Sequence, residues 1–285
     1  MGVALVTPFS ADGSVDYPAL MGLVDMHLSS GTDFLCVLGT TAETPCLDDA
    51  EKKSVMKAVA DRVQGHIPLL LGCGGNCTQT VTRFLREADL DGYDGVLIVT
   101  PYYNKPTQEG LYRHYRAVAD AAGLPVVLYN VPGRTGVNMS AATTLRIARE
   151  CPNVVAVKEA SGQLAQIEEI LSGAPEGFEV LSGDDGITLE LLALGATGVI
   201  SVVGNAYPAE FRAMVRSVLD GDMAAALEKH RRFVPLYKLM TVDGNPSGVK
   251  SLLYVQGKIG NHLRLPLVPA CEATENSLRE IAANF

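Results

Sequence analysis

The residues best placed to do chemistry in this chain are a lysine, two threonines, a tyrosine and an arginine, each set against apolar or glycine-rich neighbours. Lys158 follows Val154, Val155, Ala156 and Val157, a run with the small, β-branched, uncharged character of a strand covered on both faces. A desolvated ammonium loses its proton more readily than a free one, and a neutral amine is the nucleophile that forms a Schiff base with a ketone. The plainer alternatives are a lysine snorkelling out of a strand end, or one paired with the adjacent Glu159. Thr40 and Thr41 follow the apolar run 34–38, and Tyr129 ends the run 126–129. Their hydroxyls could bind a carboxylate and move protons beside an amine, although a single tyrosine at a strand end serves packing as readily. Arg134 lies two residues past Pro132 in a glycine-flanked turn. It offers a bidentate fork to a carboxylate, or is simply a surface arginine.

Other chemistries find little support. The cysteines at 36, 46, 73, 77, 151 and 271 include no CxxC pair, and the histidines at 27, 66, 114, 230 and 262 show neither HxH nor HExxH spacing. We therefore expect no metal and no cofactor. Gly72, Gly74 and Gly75 match neither phosphate-loop nor dinucleotide fingerprint and read as a tight strand-to-helix turn. With 32 acidic against 23 basic residues the net charge is −9 and no basic cluster stands out, so nucleic acid is not an expected partner. No apolar run reaches the roughly 18 to 20 residues of a membrane span, and the first residues lack a basic region followed by an apolar stretch. We expect a cytoplasmic protein that does not engage membranes.

The elements that must position these residues alternate from the start. Apolar runs expected as strands lie at 3–6, 34–38, 68–71, 95–99, 126–129, 154–157, 178–181 and 198–201, with helical patterns between them. Asp16 is placed to cap a helix over 17–30, and Asn76 one that begins near Cys77. Eight strand-helix units with uncharged strands predict a (β/α)8 barrel over residues 1–220, followed by a helical extension over 221–285. A doubly wound open sheet is the alternative, disfavoured by the missing dinucleotide fingerprint and by eight evenly spaced repeats. In a (β/α)8 barrel the reactive groups collect at the C-terminal ends of the strands, where Lys158, Tyr129, Thr40 and Thr41 fall. If side chains alternate strictly, Val154, Ala156 and Lys158 share one face.

Six segments taken together carry a resemblance. GTTAE at 39–43, TPYYNKPTQEGLY at 100–112, YNVPGRTG at 129–136, VKEASG at 157–162, LSGDD at 181–185 and GVISV at 198–202 resemble the dihydrodipicolinate synthase family along the whole chain. VKEASG alone marks only the wider superfamily of pyruvate-dependent aldolases and N-acetylneuraminate lyases. The resemblance implies that Lys158 forms a Schiff base with pyruvate, whose enamine attacks L-aspartate 4-semialdehyde to give 4-hydroxy-tetrahydrodipicolinate, the entry to lysine and diaminopimelate. It further implies a proton relay of Thr40, Tyr129 and Tyr103, the last contributed by a neighbouring subunit. Thr41 would hold the pyruvate carboxylate and Arg134 that of the semialdehyde, while Gly183 and Ile200 would shape the pocket. The family also implies a homotetramer built as a dimer of dimers.

Two departures from the family pattern are visible. The loop reads GTTAE where GTTGE is commoner, a change expected to be tolerated. Asn76 and Tyr102 fit the family's lysine-binding pattern, but Thr80 stands at the glutamate position, and Asp49 and Lys52 where histidines would serve. Weak or no inhibition by lysine is expected. The nearest rival is a sister aldolase acting on N-acetylneuraminate, 2-keto-3-deoxy-sugar acids or 4-hydroxy-2-oxoglutarate, against which Arg134 argues because it suits a short acid aldehyde. A non-catalytic barrel that binds a keto acid is the more remote alternative.

Overall fold

The computed structural model describes residues 1–285. Short apolar segments form the strands, and longer segments form the helices between them. In order these are β1 (Gly2–Ala4), α1 (Tyr17–Ser29), β2 (Phe34–Val37), α2 (Asp49–Val63), β3 (Leu69–Gly72), α3 (Thr78–Glu87), β4 (Gly95–Val99) and α4 (Gln108–Ala121). Then come β5 (Val126–Asn130), the short α5 (Pro132–Thr135), α6 (Ala141–Glu150), β6 (Val154–Glu159), α7 (Leu164–Gly173), β7 (Glu179–Ser182), α8 (Thr188–Ala193), β8 (Gly198–Ser201) and α9 (Pro208–Leu219). Three further helices follow, α10 (Met223–Leu239), α11 (Ser247–Val255) and α12 (Glu272–Ala282). The strands run β1 to β8 in sequence order as a closed parallel barrel, the (β/α)8 architecture. No helix is long and apolar enough to cross a membrane.

By internal contacts the chain divides into two compact units, one of Met1–Leu69 with Ser201–Phe285 and one of Leu70–Ile200. In the first, the α-amino group of Met1 meets Asp33 at 2.7 Å, and Asp33 is also bonded by Arg212 and Arg216 of α9. Tyr207 stacks on Phe285, and Phe233 of α10 joins both rings. In this unit β1 ends sooner than the sequence suggests. Val6 N donates to Asn205 Oδ1 at 3.1 Å, and Asn205 Nδ2 donates to the Ala4 carbonyl. The Asn205 side chain thus takes up backbone groups of Ala4 and Val6 that a longer strand would pair, while Leu5 N still donates to the Cys36 carbonyl at 3.0 Å and both Leu5 and Val6 stay buried.

In the second unit, β4 to β8 pair in parallel, and most of their apolar residues are buried. The glycine-rich turn after β3 is explained by close approach: a Cβ on Gly74 would lie 2.5 Å from Val99 N. Asn76 is not the cap of α3. That helix begins one residue later, with Cys77 at its N-cap and no side-chain cap bond. The 129–136 segment contains α5, which begins on Pro132 and is capped at its C-terminus by Gly136 with φ of 69°.

Candidate active site

Lys158 lies within β6 rather than at its end. The strand continues through Glu159 because Asn130 and Ser182 carry its ladder on either side. A register shift at Val126/Val127 leaves Val155 without a partner on β5, which takes Val154 out of the expected alternation. Ala156 and Lys158 keep a common face. Lys158 is only 5% exposed, and its Nζ stands 4.4 Å from the ring centroid of Tyr129, its register partner on β5.

The adjacent Glu159 does not pair with it. Strand alternation sends the Glu159 carboxylate to the opposite face, where both oxygens accept from Asn130 Nδ2 at 3.1 Å and one accepts from Ser161 N at 2.9 Å. Burial pushes this carboxyl above its usual range, opposed by those same donors. Asn130 also bonds Asn138 and receives Met139 N, so the network fixes the ends of β5 and β6 behind the lysine. On the β7 side, Gly183 N donates to the Glu159 carbonyl at 2.8 Å. The close approach requires glycine, since a Cβ there would meet Ala160 Cβ at 2.7 Å and Lys158 Cε and Cγ at 3.1 Å. Ile200 follows Val199 on β8 as Gly183 follows the paired Ser182 on β7, and is buried.

Arg134 sits exposed on α5, beside Gly136, whose added Cβ would fall 2.9 Å from Lys105 Cε. Tyr103 is 89% exposed and holds a left-handed backbone with φ of 72°, a strained choice for a residue with a Cβ. These residues are therefore not packed onto Lys158 as Tyr129 and Gly183 are.

Thr40 and Thr41 belong to the other unit. They form a single 3-10 turn after β2, with Thr41 buried and its Oγ1 accepting from Asn245 Nδ2 at 2.9 Å. The turn closes on Glu43, fully buried and left-handed at φ of 55°.

That carboxylate holds a lysine the sequence reading overlooked. Lys250 of α11 is 0% exposed, and its Nζ donates to Glu43 Oε1 at 2.6 Å and to the Thr7 carbonyl at 2.9 Å. Burial pushes its pKa down, against the pull of Glu43. The available signal was α11 itself: from Ser247 to Leu253 every residue is buried, and a helix apolar on most sides that carries one lysine implies a partner for it. The chain thus has two buried lysines in different company, Lys250 against a carboxylate and Lys158 against an aromatic ring.

Comparison with known proteins agrees with this architecture. Residues 1–284 match the model of the dihydrodipicolinate synthetase family. The chain is 58% identical to the 4-hydroxy-tetrahydrodipicolinate synthase of Phocaeicola vulgatus over 99% of its length and 95% of that protein. Among solved structures it resembles the dihydrodipicolinate synthase of Thermotoga maritima, with a TM-score of 0.97 at 42% identity over 99% of this chain and 97% of that one. It also resembles the chloride-inhibited dihydrodipicolinate synthase of Acinetobacter baumannii complexed with pyruvate, with a TM-score of 0.96 at 38% identity over 99% and 97%.

Proposed function

The chain belongs to the dihydrodipicolinate synthetase family, and from that premise we propose how its residues divide the work. The reaction condenses pyruvate with L-aspartate 4-semialdehyde to give 4-hydroxy-tetrahydrodipicolinate, in lysine and diaminopimelate biosynthesis. Lys158 Nζ attacks C2 of pyruvate, and loss of water from the carbinolamine leaves a Schiff base. Loss of a C3 proton gives an enamine whose C3 attacks the semialdehyde carbonyl; ring closure by the semialdehyde amine then frees Lys158. Each stage needs a proton moved at the lysine nitrogen, the leaving oxygen or C3, which a phenol held nearby can do for roughly 10²- to 10⁴-fold.

The observation that carries this reading is the buried Lys158 amine over the Tyr129 ring, with Gly183 packed on the lysine stem. Confinement holds the amine in one place, and a lysine amine is the nucleophile from which a Schiff base with a ketone is built. We assign Tyr129 and Thr40 to the relay, completed by Tyr103 from a neighbouring subunit, and Thr41 to the pyruvate carboxylate. The exposure and strained backbone of Tyr103 support a role away from its own chain. Arg134 would take the semialdehyde carboxylate, and Gly183 and Ile200 would bound the pocket. A cytoplasmic homotetramer, built as a dimer of dimers, is the assembly this relay suits.

The test is a product assay with the purified protein. Pyruvate and L-aspartate 4-semialdehyde should disappear together as 4-hydroxy-tetrahydrodipicolinate forms. Cleavage of N-acetylneuraminate or a 2-keto-3-deoxy-sugar acid, with the semialdehyde left untouched, would move the chain to a sister aldolase.

A further inference from the structure

We propose that Lys250 is a positioning residue which, through the Glu43 carboxylate, holds the 39–43 turn so that Thr40 and Thr41 present their hydroxyls in one arrangement. The inference rests on the reading above, in which those threonines serve the proton relay and the pyruvate carboxylate.

The turn is pinned from both of its ends. Glu43 N donates to the Thr40 carbonyl at 3.2 Å, Ala42 N to that of Gly39 at 3.2 Å, and Thr44 Oγ1 to the same Gly39 carbonyl at 2.8 Å. These local bonds alone do not force Glu43 into its left-handed backbone, a conformation that persists where surrounding contacts over-determine it. Here they do. One Glu43 oxygen accepts from Lys250 Nζ and the other from Arg264 N at 3.0 Å, so the carboxylate is gripped at both oxygens.

The grip is itself anchored. Lys250 Nζ also donates to Thr7 O and lies 4.3 Å from the centroid of the Phe9 ring, while the Arg264 guanidinium stands 4.5 Å over that ring and bonds Glu51 and the Gly13 and Cys46 carbonyls. From the same C-terminal stretch as Lys250, Asn245 Nδ2 reaches Thr41 Oγ1 directly.

A buried ion pair is a poor device for stability, because desolvation offsets the attraction and apolar residues of similar volume often do as well. What it does supply is direction: charge-assisted bonds with fixed geometry, in this case ending on the residue that closes the threonine turn.

Lys250→Met and Glu43→Gln test this, alongside Thr41→Val, with folded protein confirmed by circular dichroism below the melting temperature. We expect Lys250→Met to raise the pyruvate KM and to slow borohydride trapping of the pyruvate adduct, each by about tenfold or more, since small misplacements of binding groups cost that much. The KM for the semialdehyde should stay within about twofold. Glu43→Gln, which keeps the shape and one acceptor, should shift the pyruvate KM less in the same direction, and it carries the test should Lys250→Met fail to fold. A merely structural pair would lower the melting temperature and leave both KM values unchanged in the folded enzyme; that result, with Thr41→Val impaired for pyruvate, overturns the Lys250 inference alone. An unimpaired Thr41→Val instead removes the assignment of Thr41, and with it the premise.

Discussion

Gly183→Ala is the smallest change that should disturb the lysine without touching it chemically. The added Cβ would sit 2.7 Å from Ala160 Cβ and 3.1 Å from Lys158 Cε and Cγ, where carbon atoms prefer about 3.5 to 4.0 Å. Something has to yield by roughly half an ångström or more. If β7 recoils, the 2.8 Å bond from Gly183 N to the Glu159 carbonyl is stretched. If the Lys158 stem swings instead, its amine leaves the Tyr129 ring. Overpacking of this kind costs about 1 to 3 kcal/mol, which lowers the melting temperature by about 2 to 4 °C for each kcal/mol in a large domain. A displaced nucleophile costs more in rate than in stability, and we expect pyruvate trapping by borohydride to slow by about 10- to 100-fold. The assay is single-turnover trapping followed by mass spectrometry, with calorimetry on the same samples. Wild-type trapping and melting in Gly183→Ala would refute the claim that this glycine sets the lysine's position.

Further outcomes follow from the same geometry. Tyr129→Phe keeps the ring beneath Lys158 and removes the hydroxyl, so kcat should fall by roughly 10²- to 10⁴-fold with little change in melting temperature; a rate within about twofold of wild type would take Tyr129 out of the relay. His27 and His114 are buried and held to about 4, in both cases first by burial. Each binds a proton in the unfolded chain near pH 6.5 but not in the folded one, so stability is full above that pH and drains as the pH falls towards 4. The loss is about 2 kcal/mol per histidine at pH 5, and denaturant melts at pH 7 and pH 5 should show it, with the pH dependence of stability visibly smaller in His114→Gln. A pH-independent midpoint over that range would count against both assignments.

Much of the fold was legible because its signals are local. The strands at Gly95–Val99 and Gly198–Ser201 are apolar runs opened by glycine, and Asp16 accepts from Ala19 N at the start of α1, as a cap residue should. Lys158 stood out because a charge in an uncharged strand needs a reason. What escaped depends on distant partners. The early end of β1 is set by the Asn205 side chain, 199 residues away from Val6, and the shift at Val155 exists only in relation to β5. Lys250 and Glu43 are 207 residues apart, and no periodicity in either neighbourhood names the other. The separation of Lys158 from Glu159 was within reach of strand alternation, had β6 been drawn two residues longer.

Lys158, and not the other buried lysine, is the residue proposed to become covalently bound to pyruvate. Reduction with borohydride in the presence of pyruvate, followed by peptide mapping, addresses this directly. One adduct is expected, on Lys158, absent from Lys158→Ala and retained on Lys158 in any Lys250→Met protein that folds. An adduct on Lys250, an adduct that survives in Lys158→Ala, or turnover with no trapped adduct would contradict this.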